Sequence, residues 1–77
     1  MNYITLNDIS NGEKAKIKSI NIEPSMKRRL IDLGLIEDTI VECVGKSPMG
    51  DPKAFLIRGA VIALRCEILK EITAEKI

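Results

Sequence analysis

Apolar positions along this chain recur with two periods, and the longer period occurs in one place. The run Pro24-Ser25-Met26-Lys27-Arg28-Arg29-Leu30-Ile31-Asp32-Leu33-Gly34-Leu35 puts Met26, Leu30 and Leu33 within a stripe about 60° wide at about 100° per residue, with Arg28 and Asp32 opposite. This spacing predicts one helix whose stripe faces a core. Pro24 suits the first turn, where a missing N–H costs nothing, and Gly34 suits the residue past the end, where positive φ is wanted. With Gly34 left-handed, Leu35 folds back onto Leu30, the apolar contact of a Schellman ending. Leu30, Leu33, Gly34 and Leu35 are therefore predicted to be structural, the three leucines buried against strands carrying Ile17, Val41 and Ile62.

Elsewhere the period is two. Lys14, Lys16 and Lys18 alternate with Ala15 and Ile17, the pattern of a half-buried strand with its lysines in water. Ile20 and Ile22 fall on the lysine parity, so a bulge near Lys18 and Ser19 is expected to return them to the core. Ahead of this strand, Ile4, Leu6 and Ile9 lead into the turn signal Asn11-Gly12. After the helix, Ile36-Glu37-Asp38-Thr39 reads as a tight polar turn, residues 40 to 44 as a second strand, 53 to 58 as a third and 60 to 64 as a fourth, with Gly59 turning between the last two. Ile68, Leu69 and Ile72 read as a last short strand, and residues 74 to 76 as an end that frays. Gly45, Pro48, Gly50 and Pro52 are too many breakers for a regular element and leave a long hairpin loop.

About five short strands, with one short helix inserted after the first long strand, predict a mainly β fold. A partly open, SH3-like small barrel is expected, because few other layouts hide both sheet edges in so few residues. The 77 residues make a single domain, 1–77. Of the 45% apolar residues only Tyr3 and Phe55 are aromatic, so the core is expected to be aliphatic. The longest apolar run, residues 60 to 64, falls far short of the roughly 20 residues that span a bilayer. The first eight residues lack a signal peptide's basic start and apolar run. A cytoplasmic protein is expected, linked to a membrane only through a partner.

The absence of histidine removes the usual base beside a serine or cysteine nucleophile, and the adjacent Glu37 and Asp38 at a turn point into water. No enzyme activity and no catalytic residue are expected. Cys43 and Cys66 cannot complete a closed thiolate site by themselves, and their apolar surroundings predict buried free thiols in a reducing compartment. No metal or cofactor residue is assigned. Twelve basic and 11 acidic residues leave a net charge of +1, and with two aromatics there is neither the charge nor the stacking surface for nucleic acid. Lys27-Arg28-Arg29 reads first as a solvated helix face, with Arg28 within reach of Asp32 at i, i+4, and second as a contact for an acidic partner. Met49 differs, being an apolar residue at the tip of a breaker-rich loop, remote from any core. Lys46, Ser47, Pro48, Met49, Gly50, Asp51 and Pro52, with Lys27 and Arg28 on the helix, form the candidate partner-docking surface.

The run from Arg29 to Leu35, then Thr39 opening a strand, Ser47-Pro48-Met49-Gly50-Asp51-Pro52, and Ile62-Ala63-Leu64-Arg65 resembles the FeoA family across nearly the whole chain. The resemblance implies a small cytosolic SH3-like barrel with a helical insertion. It implies a non-catalytic accessory of the FeoB ferrous-iron transporter in the bacterial cytoplasmic membrane, and it leaves self-association open. Where the family usually has Pro-Gly before the threonine, this chain has Glu37-Asp38. Two rivals stand beside it. One is the SH3-like C-terminal domain of diphtheria-toxin-repressor-type metal regulators, whose helix-turn-helix has no counterpart here; the other is a small RNA-binding barrel, disfavoured by composition.

Overall fold

The computed structural model describes residues 3–77. β1 (Tyr3–Thr5) runs into a 3-10 turn (Leu6–Asp8), followed by β2 (Lys14–Ile20), α1 (Pro24–Asp32), β3 (Ile40–Lys46), β4 (Lys53–Ile57), β5 (Ala60–Leu64), α2 (Cys66–Leu69) and β6 (Ile72–Lys76). The six strands form one antiparallel sheet in the order β1-β6-β2-β3-β4-β5. Its concave face carries an aliphatic core around Phe55, in which Leu6, Ile9, Ile17, Leu35, Leu69 and Ile72 are completely buried.

The lysine-bearing strand behaves as its alternation requires. Ile17 faces Ala74 and Ser19 faces Thr73, so the register against β6 slips by one residue at Lys18. Beyond that bulge Ile20 is buried. A second slip, between Cys43 and Gly45 in β3, leaves Val44 turned outward.

Both ends of α1 are built from local chemistry. The Glu23 carboxylate accepts a hydrogen bond from Met26 N at 2.8 Å, and the Ser25 hydroxyl also donates to it. Those two bonds, the hydroxyl's first, hold the Glu23 carboxyl below the usual carboxylate range. At the other end Gly34 sits at φ 98°, Gly34 N donates to Ile31 O and Leu35 N donates to Leu30 O, both at 2.9 Å. This is the paired bonding of a Schellman motif, and it brings Leu35 back over Leu30.

That return overturns the expectation for Leu33, which is 46% exposed. The helix ends at Asp32, Leu33 is its cap, and Leu35 takes the buried place that continued helical periodicity would assign to Leu33. Ile62 is likewise only half-buried, while Ile17 and Val41 are in the core. In the turn that follows, Asp38 takes φ 70°, the left-handed region that a glycine would occupy and that aspartate tolerates better than most residues.

The C-terminal reading also changes. Residues 68 to 72 are not one strand, because α2 ends at Leu69 and β6 begins at Ile72. Residues 74 to 76 do not fray, since β6 is paired on both sides, with β1 and with β2. Ala74 lies in register between Ile4 and Ile17 and is completely buried, while Lys76 pairs with Glu13 and Glu75 with Lys18. Pairing on two flanks outweighs the poor strand propensity of Ala-Glu-Lys. The short N-terminal β1 brings the strand count to six rather than five.

Candidate functional site

The breaker-rich segment 46–52 is cross-linked from within. Ser47 Oγ donates to Asp51 O at 2.7 Å and accepts from Asp51 N at 3.1 Å. Gly50 N donates to Ser47 O at 2.8 Å, and Ser47 N to Pro52 O at 3.1 Å. The loop is also tied to α2: Asp51 Oδ1 accepts from Cys66 N at 2.9 Å, and Cys66 Sγ donates to Gly50 O at 3.5 Å. Ser47 and Asp51 thus hold the loop's shape. The side chains that this scaffold displays are Lys46, Pro48 and Met49, and Met49 is 91% exposed at the tip.

Asp51→Ala removes the acceptor for an N–H of the first turn of α2, a loss of the size of a helix cap, about 0.5 to 2 kcal/mol. The expected result is a lower urea midpoint together with faster amide exchange at Cys66, most of it restored by Asp51→Asn. An unchanged Cys66 exchange rate would mean that the loop is held without this bond.

Lys27 and Arg28 lie elsewhere. Both are exposed on α1, where Lys27 borders a shallow groove of about 250 Å³ with Ile20, Ile31, Ile36 and Glu37. Among the described residues the ion pairs are Lys18 with Glu75, Arg65 with Glu67 and Lys76 with Glu13, so Arg28 does not pair with Asp32. The insertion bearing α1 returns into β3 at Ile40, whereas the loop leaves β3 after Lys46. The two halves of the candidate surface thus adjoin opposite ends of β3, a strand about 20 Å long.

Cys43 is buried, but Cys66 is only half-buried, since its thiol faces the loop carbonyl rather than the core; both are free. Among the described residues no three of His, Cys, Asp and Glu are grouped so as to hold a metal ion, and no helix is long and apolar enough to cross a membrane. Lys53 was legible only as a strand residue. Its ammonium donates to Asn7 O at 2.5 Å and to Ile9 O at 3.2 Å, fastening the start of β4 to the segment before β2. Nothing in its local sequence signals that link.

The family profile for the FeoA domain matches residues 4–76. The chain belongs to the FeoA domain family. A FeoA-like protein of Clostridium acetobutylicum is 34% identical, with a TM-score of 0.88 over all of this chain and 90% of its own. FeoA of Chlorobium tepidum is 28% identical, with a TM-score of 0.92 over 96% of this chain and 70% of its own. FeoA of Stenotrophomonas maltophilia, a prokaryotic SH3 domain protein solved with zinc, is 25% identical, with a TM-score of 0.81 over 94% of this chain and 89% of its own. A manganese-dependent transcriptional repressor shares the fold alone, at 16% identity and a TM-score of 0.85 over 97% of this chain and 42% of its own. Among curated protein sequences, none matches this chain.

Proposed function

We propose that this FeoA-family protein is a non-catalytic accessory of ferrous-iron uptake that acts by docking on the cytoplasmic part of the FeoB transporter. Membership of the family supports the pathway, and the S. maltophilia relative has been put forward as a ferrous iron transport activating factor. The observation that carries docking is Met49. A methionine 91% exposed on a loop stitched through Ser47 and Asp51 contributes nothing to the core. Its backbone is already ordered, so seating that side chain in a partner's pocket loses little further entropy. Lys46 beside it supplies charge for an acidic rim. Lys27 and Arg28 reach the same partner only if it spans the length of β3.

Met49→Ala, with Lys46→Glu, lies outside the core and should leave the melting curve unchanged while lowering ferrous-iron uptake in cells. Lys27→Glu, tested separately, should lower uptake only with a partner that reaches both ends of β3. Normal uptake by the folded Met49 variant would eliminate the loop as the docking element. Normal uptake after deletion of the gene would remove the assigned function. The repressor-domain reading has only the shared fold behind it.

A further inference from the structure

β5, the longest wholly apolar run in the chain, forms one edge of the sheet. Its turn from β4 has Arg58 at φ 49° and Gly59 at φ 86°, positive at both central positions as in a type I′ two-residue hairpin. Such a turn is closed by a hydrogen-bonded pair, here Ile57 with Ala60, and bonded and non-bonded pairs alternate beyond it. Phe55 with Ile62 and Lys53 with Leu64 are then bonded, whereas Leu56 with Val61 and Ala54 with Ala63 are not. The backbone N–H and C=O groups of Val61 and Ala63 consequently point away from β4, over the open edge. Among the described residues no other segment bonds to them.

Sheet edges are usually blunted by shortness, lysine, proline or a bulge. The opposite edge, β1, has three residues. β5 has five, with no charge, no proline and no register slip, and Val61 is 65% exposed.

We propose that the β5 edge accepts an extended peptide segment of a partner as a seventh strand, and that this segment is aliphatic at its centre and acidic at both ends. Charge decides between that occupant and a second copy of the chain. Arg58 precedes the edge and Arg65 follows it. Antiparallel self-pairing centred on Ile62 would set Gly59 opposite Arg65 of the other copy, with Arg58 one position away on the other face, so each end of the ladder would gather two cations and no new carboxylate. A foreign strand with carboxylates at those positions meets both cations instead. Glu67 engages Arg65 through Nε at 3.2 Å, in a solvent-exposed pair that a competing carboxylate can displace. Main-chain bonds to Val61 and Ala63 would provide the affinity, and the aliphatic outer surface of Val61 and Leu56 would select alternate side chains. The inference stands apart from the transporter assignment, because it names a peptide chemistry and not a particular protein.

The probe is the capped peptide Glu-Glu-Val-Thr-Val-Thr-Val-Glu-Glu, titrated into the whole chain by calorimetry and by amide chemical shifts. Saturable binding with shifts centred on residues 60 to 65 is expected, with affinity at least tenfold lower for a Lys-flanked peptide and for one N-methylated at alternate residues. Ala63→Pro deletes an N–H that the β4 ladder does not use, a place where an edge tolerates proline. It should keep its melting curve and lose at least tenfold in affinity. Should that variant not fold, Arg65→Glu provides the second test and should shift preference toward the Lys-flanked peptide. Absence of binding at millimolar peptide, equal binding of the N-methylated probe, or shifts confined to other elements would overturn the proposal. So would a concentration-dependent dimer abolished by Ala63→Pro, which would identify a second copy as the occupant.

Discussion

Leu35→Ala is expected to lower the stability of this protein by about 2 to 5 kcal/mol, while Leu33→Ala, two residues earlier, lowers it by no more than about 1 kcal/mol. Leu35 has no exposed surface and is held over Leu30 by the bond from its own N–H. Its truncation opens a cavity that the Schellman turn cannot collapse without losing its bonds. Leu33 is nearly half in water, so its removal returns little buried area. A domain of this length holds about 4 to 12 kcal/mol in total, which makes the first substitution capable of unfolding a large fraction of molecules. Urea midpoints compared at equal slope measure both. Equal losses would show that the helical stripe, and not the return of the chain after it, does the packing.

Gly34→Ala should be nearly as damaging, for two separable reasons. At φ 98° a side chain costs about 1 to 2 kcal/mol. The new Cβ would also lie 2.6 Å from Cδ and 3.2 Å from Cγ of Arg58, so the outer stem of that exposed arginine must swing aside, a further cost at the lower end of the overpacking range, about 1 kcal/mol. Making the same substitution in an Arg58→Ala background removes the collision and keeps the strain. The loss should then shrink to the conformational part. If Gly34→Ala costs the same in both backgrounds, the arginine yields freely and backbone strain is the whole effect.

These two neighbours mark where sequence reasoning reaches and where it stops. Pro24, Gly34 and the parity break at Lys18 were legible because a cap, a left-handed residue and a bulge are each decided within a few residues of chain. Leu33 was misread because helical periodicity was carried into the cap residue itself, whereas the place over Leu30 goes to Leu35, which the chain's reversal at Gly34 brings back. β6 was missed for the opposite reason: Ala74, Glu75 and Lys76 have no strand preference of their own and take the conformation from β1 and β2 on either side. In the candidate site, the exposure of Met49 followed from the breakers around it. The role of Asp51 did not, because the N–H it accepts belongs to Cys66, in another element. The apolar run at residues 60 to 64 was visible in the sequence, but only the strand order reveals that it is an edge.

The sheet order has one more consequence. β1 and β2 are separated in the sheet by β6, and neither β1 nor the β6-facing side of β2 has another neighbour in the sheet. While the polypeptide is being synthesised, β2, β3, β4 and β5 can assemble as they emerge, but β1 must wait, unpaired, for β6, which follows all of them in the chain. The β1-β6-β2 side of the sheet is therefore completed only when the ribosome has delivered residues 72 to 76, and a strand at the start of the domain is among the last to find its place.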